Sequence, residues 1–153
     1  MRIRLPFLPV FPEVRTASGH LYSAKAMQMV HNQIQAKLPM MGSLSHPLDG
    51  RTRILEASHT LQAVEVTCLQ WFGQLDLHGS PQGRMVEAFF KNGLKLYLAS
   101  RLMCNIDDDG RVVEHGLSVM GVDIVTPDNM IETAPLDVIT RAIFSPSDDV
   151  LGT

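Results

Sequence analysis

Leu94-Lys95-Leu96-Tyr97-Leu98-Ala99-Ser100-Arg101 places apolar Leu94, Leu96 and Leu98 at every second position, with Lys95, Tyr97 and Ala99 between them. That is the period of a strand that buries one face. The stretch follows directly on Arg84 to Asn92, where Met85, Ala88 and Phe89 fall on one side of a helix and Gly93 supplies its stop. The reading is a strand that emerges from a helix and ends at Ser100, and a regular element limits how far a reactive hydroxyl can wander. Working outward, Asp107-Asp108-Asp109-Gly110 is a turn signal, and Val112 to Val125 reads as one or two further strands. In the second of these, Val119, Gly121, Asp123 and Val125 share a face by two-residue periodicity. Asp123 is then a carboxylate among small and apolar residues, and burying one unpaired costs several kcal/mol, so it calls for a partner.

Upstream, Ser18-Gly19-His20-Leu21-Tyr22-Ser23 forms a turn-like cluster ending in a helix N-cap. Ala26, Met27, Val30, Ile34 and Leu38 then recur at helical spacing, which predicts an amphipathic helix from Ala24 to Lys37, stopped by Pro39. Gly42 to Gly50 reads as a loop holding His46. Arg53 to Cys68 and Leu69 to Leu77 read as strands, the latter carrying Trp71 and Phe72, and His78 to Gly83 reads as a turn. Beyond Pro127 the expectation is a short helix over Leu136 to Phe144 and a mobile tail at Ser145 to Asp149.

At 153 residues and 45% hydrophobic content, the chain has enough material for one core, so a single domain over 1–153 is expected. Net charge is −3 with a pI near 6.0, and Lys and Arg are scattered, which argues against nucleic acid as a partner. Pro6, Pro9 and Pro12 interrupt the apolar N-terminal stretch, so it is read neither as a signal peptide nor as a membrane span. Cys68 and Cys104 are flanked by apolar residues and read as buried thiols in a reducing compartment. No histidine pair has zinc-ligand spacing, and the Asp107 turn lacks the downstream Glu of a calcium loop, so neither a metal nor another cofactor is expected.

What remains is a set of residues for acyl transfer. A serine hydroxyl is a weak nucleophile until an imidazole takes its proton and a third group fixes that imidazole. Ser100 as nucleophile, His46 as base and Asp123 as orienting acid fill those roles, with the backbone near Arg101 or its guanidinium as a weaker candidate for the oxyanion. His20, His31, His59, His78 and His115 compete for the base and orienting roles, and spacing alone does not separate them. The Gly-x-Ser-x-Gly elbow of small esterases is absent.

The order of motifs resembles the prohead (capsid maturation) proteases of tailed phages, relatives of the herpesvirus assemblins. Gly42, Leu44, His46 and Pro47 match that family's Gly-x-Leu-x-His-Pro, Ala99-Ser100-Arg101 its Ser-Ser-Arg, and Gly121-Val122-Asp123 its Gly-Val-Asp. The Ser18 to Ser23 turn with its helix, and Pro81-Gln82-Gly83 with the helix to Asn92-Gly93, complete the likeness over residues 18 to 129. Ala99 and Leu102 depart from the pattern, leaving Ser100 as the serine of its segment. The resemblance implies an α+β fold, a mainly antiparallel β-barrel flanked by helices. It also implies a serine endopeptidase that works inside the assembling prohead, in the bacterial host cytoplasm. Its substrates would be scaffold and major capsid proteins, often cut after Glu, and a homo-oligomer is compatible with it. Ile54-Leu55-Glu56 and Met130-Ile131-Glu132 resemble such sites, the latter being the expected point of self-cleavage. The alternative is a capsid-associated structural protein of the same fold without activity.

Overall fold

The structure is a computed structural model and describes residues 1–16, 19–45, 54–67 and 70–126, and the backbone of 137–141. Two sheets and two helices make up these residues. The first sheet has the order β1 (Arg2–Pro6), β4 (Gln70–Leu77), β3 (His59–Thr67), β2 (Met40–Gly42), all antiparallel. In the second, β6 (Ser118–Val125) runs antiparallel to β5 (Tyr97–Cys104), and β7 (Asp137–Arg141) lies parallel on the other side of β5. Single bridges, Phe7 to Leu98 and Leu44 to Ile124, join both edges of the first sheet to the second. The α+β, mainly antiparallel character is as expected, and the sheets meet through these bridges rather than through a continuous ladder.

Helix α1 (Ala24–Lys37) has the bounds read from its periodicity. The Ser23 hydroxyl accepts the Ala26 amide at 2.9 Å, and Ala26, Val30 and Ile34 turn inward. Helix α2 (Pro81–Lys91) starts earlier than its apolar pattern does. Ser80 caps it by accepting the Gly83 amide at 3.1 Å, and Pro81 suits the first turn, where no donor is needed. The Asp107 turn is a hairpin turn, in which Asp107 Oδ1 accepts the amides of Asp109 and Arg111 and Gly110 adopts φ +82°.

The N-terminal stretch forms strand β1, with Ile3 and Leu5 buried and Arg2 and Arg4 outward, its prolines falling at or beyond the strand's end. Three expectations need correcting. The loop from Gly42 starts later, because Met40–Gly42 pairs with β3. Ser100 lies inside β5 rather than at its end: the strand continues through Arg101, a charge that reads as a stop until its partner is known. Residues 137–141 form a strand, not a helix, because the open side of β5 offers a ladder that local propensity does not anticipate.

Cys104 is buried, whereas Cys68 lies outside the described residues, as do the tail at 145–149 and Glu132. Ile54–Glu56 is a short 3-10 turn. No helix among the described residues is long and apolar enough to cross a membrane.

Candidate active site

Ser100 pairs with Val122 across the β5–β6 ladder and shares its face with Leu98, Val122 and Ile124, which belong to the main core. Its side chain is half-buried and lines a cavity of about 430 Å³. Among the described residues no hydrogen bond engages its hydroxyl, so the oxygen is free to meet a substrate. On the other side of β5, Ser100 is the register partner of Asp137, the first residue of β7.

Asp123 pairs with Ala99, so its carboxylate projects from the opposite face of the same ladder. There it meets Arg101: Nε donates to Oδ2 at 2.9 Å and Nη2 to Oδ1 at 3.3 Å, with both side chains essentially inaccessible to solvent. Ser43 N–H also donates to Oδ1, at 3.0 Å. The partner that Asp123 called for is thus the arginine next to the candidate nucleophile. Gly121 makes room for it, since a Cβ there would collide with Nη2 of Arg101 and approach its Cζ to 2.9 Å. Ser100 and Asp123 are therefore brought onto neighbouring strands but onto different faces. Ala99, at the position of the pattern's first serine, is the residue opposite Asp123.

His46 lies outside the described residues. The chain that leads to it is tightly held: Ser43 C=O accepts the Ile124 amide at 2.9 Å, and Ser45 N–H donates to Ile124 C=O at 2.7 Å. Ser45 then takes φ +66°, an uncommon left-handed conformation for a non-glycine residue.

Gly42, the first residue of the His46 motif, is required by packing. A Cβ at this position would collide with the Val122 carbonyl and lie 2.5 Å from His59 Nε2. Gly42→Ala must therefore push β2 away from β6 or displace a buried ring. The expected loss is about 3 kcal/mol, the upper end for overpacking, read as a lowered urea midpoint.

The imidazole behind Gly42 is the polar feature that sequence spacing did not single out. His59 and Ser58 are both fully buried; Nε2 faces the Val122 carbonyl at 3.0 Å and Nδ1 the Ser58 hydroxyl at 2.7 Å. A carbonyl only accepts, so Nε2 carries the proton and Nδ1 accepts from Ser58 O–H. Desolvation lowers the His59 pKa from 6.5 to about 4, so the ring is neutral at pH 7. The unfolded chain then binds one proton more than the folded chain between these values, and stability falls as pH drops through that window. The wild type is expected to lose about 3 kcal/mol between pH 7.5 and pH 4 relative to His59→Gln, measured by urea unfolding across the series. Equal pH slopes in the two proteins would contradict a neutral buried His59. A Ser-His dipeptide inside a strand was the available signal; recognising its burial required the second sheet. No group of three or more His, Cys, Asp or Glu side chains placed to hold a metal occurs among the described residues.

No protein-family profile matches the sequence, and no curated protein matches it. Among solved structures, the bacteriophage T4 capsid assembly protease, gp21, is similar to this chain with a TM-score of 0.63, over 81% of this chain and 80% of that one, at 20% identity. At that identity the likeness is one of fold, and it agrees with the α+β, mainly antiparallel character that the order of motifs implied.

Proposed function

We propose that this chain is a serine endopeptidase of the prohead-protease type, acting on scaffold and capsid proteins within an assembling phage prohead. The observation that carries the reading is a fold like that of the T4 capsid assembly protease, with a serine at the position of the family's nucleophile segment that lines a cavity and whose hydroxyl makes no hydrogen bond among the described residues. Ser100 Oγ attacks the scissile carbonyl while His46 takes its proton, and His46 then returns that proton to the leaving amine. Asp123 enters through the chain that carries the base: its carboxylate holds the Ser43 amide, three residues before His46. The Arg101 guanidinium serves by neutralising Asp123. With the guanidinium so engaged, the backbone near Arg101 is the remaining candidate donor for the developing oxyanion.

Co-expression of the full chain with the scaffold and major capsid proteins of its phage, read by intact-mass spectrometry, tests this. Discrete products that vanish with Ser100→Ala are expected. Uncut partners that co-purify with both forms would transfer the assignment to a non-enzymatic capsid component.

A further inference from the structure

We infer that His59 is a positioning residue for the reaction: its imidazole takes up the Val122 carbonyl and so fixes the segment that leads to His46 against the strand pair that carries Ser100. This rests on the reading of His46 as base and Ser100 as nucleophile.

The segment from Ser43 to Ser45 runs along β6 as a short parallel ladder. Ile124 N–H donates to Ser43 C=O at 2.9 Å, Ser45 N–H donates to Ile124 C=O at 2.7 Å, and Leu44 is the bridge partner of Ile124. Bonds in a parallel ladder are evenly spaced, so the next rung would join Ser43 N–H to Val122 C=O. Two side chains take that rung apart. The Ser43 amide donates to Asp123 Oδ1 at 3.0 Å, and the Val122 carbonyl accepts from His59 Nε2 at 3.0 Å. Gly42 admits the ring beside that carbonyl because it has no Cβ. Ser58 holds the ring from its other nitrogen, and the Ser58 amide donates to the Gly42 carbonyl at 2.9 Å.

Val122 is in turn the register partner of Ser100. His59 therefore ties the segment leading to the base to the ladder that holds the nucleophile. His59 and Val122 are both fully buried, so no water replaces the imidazole donor if it is lost. Without it, the Val122 carbonyl recaptures the Ser43 amide, which leaves Asp123 and moves the chain three residues before His46. A shift of about 1 Å in a catalytic group costs on the order of 100-fold in rate.

Three variants of the full chain test this on peptides from the scaffold protein, at a temperature where circular dichroism shows each variant folded. His59→Leu removes the donor, and kcat is expected to fall about 100-fold with KM within about 3-fold of the wild type. His59→Gln sets an amide nitrogen near the place of Nε2 and should keep kcat within about 5-fold of the wild type. His59→Asn, one methylene shorter, falls short of the carbonyl and should resemble His59→Leu, so the comparison with His59→Gln holds even where the apolar variant does not fold. A wild-type kcat in His59→Leu or His59→Asn, or an equal loss in His59→Gln, overturns the inference and leaves the protease reading standing. Absence of cleavage by the wild type overturns both.

Discussion

Ser100→Ala is expected to lower kcat/KM on a cleavable peptide by about 10⁴- to 10⁶-fold while leaving the thermal midpoint unchanged. The rate loss follows from removing the atom that forms the acyl-enzyme, because the other members of a nucleophile-base pair retain little activity without it. The unchanged midpoint follows from the local structure: among the described residues the hydroxyl makes no hydrogen bond, and the half-buried side chain borders a cavity rather than filling a packed site. Peptide hydrolysis and a melting curve on the same preparation separate the two effects. Residual activity near the wild-type level would move the nucleophile elsewhere. Ser58, 2.7 Å from His59 Nδ1, is the serine with a visible imidazole partner. It is fully buried, which makes it a poor candidate unless the sheets part, and Ser58→Ala would settle that case.

Arg101→Met is expected to destabilise the fold by about 3–5 kcal/mol, the largest stability effect of any single change considered. Removing the guanidinium takes from the Asp123 carboxylate the cation that faces it in a site closed to water, and a buried charge that loses its counter-ion is costly. Adding Asp123→Leu to Arg101→Met should recover much of that loss, because an apolar pair needs no compensation. Urea unfolding of the two single variants and the double variant forms a mutant cycle that isolates the pairwise contribution. An Arg101→Met midpoint equal to the wild type would mean that Asp123 is otherwise neutralised. Exposed pairs such as Arg2 with Asp76 and Arg111 with Glu13 should matter far less, since water screens both partners.

The distinction between those two kinds of ion pair marks where the sequence stops being informative. Helix α1 was legible to the residue because its signals are local: Ser23 bonds a backbone amide three residues on, and Ala26, Val30 and Ile34 repeat on one stripe. The Asp107 hairpin turn was legible for the same reason, being held by its own carboxylate and by a glycine at positive φ. The need of Asp123 for a partner was also readable, from the cost of burying a charge among Val and Ile. Its partner was not, because Arg101 is 22 positions away and only the register of β5 against β6 brings the two together.

The same ladder decided what the motif order left open. Ser100 and Asp123 belong to one family pattern, yet the two-residue period of paired strands sends their side chains to opposite faces. The glycines tell the same story. Gly42 and Gly121 look like loop and strand punctuation, but one is needed for the Val122 carbonyl and the His59 ring, the other for a guanidinium. Composition, periodicity and capping by themselves determined the helices, most of the strands and the chemical class of the candidate residues, since each depends on neighbours within a turn or a strand. The faces, the Arg101–Asp123 pair, the burial of the Ser58–His59 dipeptide and the apolar cavity at Ser100 were decided by tertiary structure alone, because each arises where segments distant in sequence close on one another and exclude water.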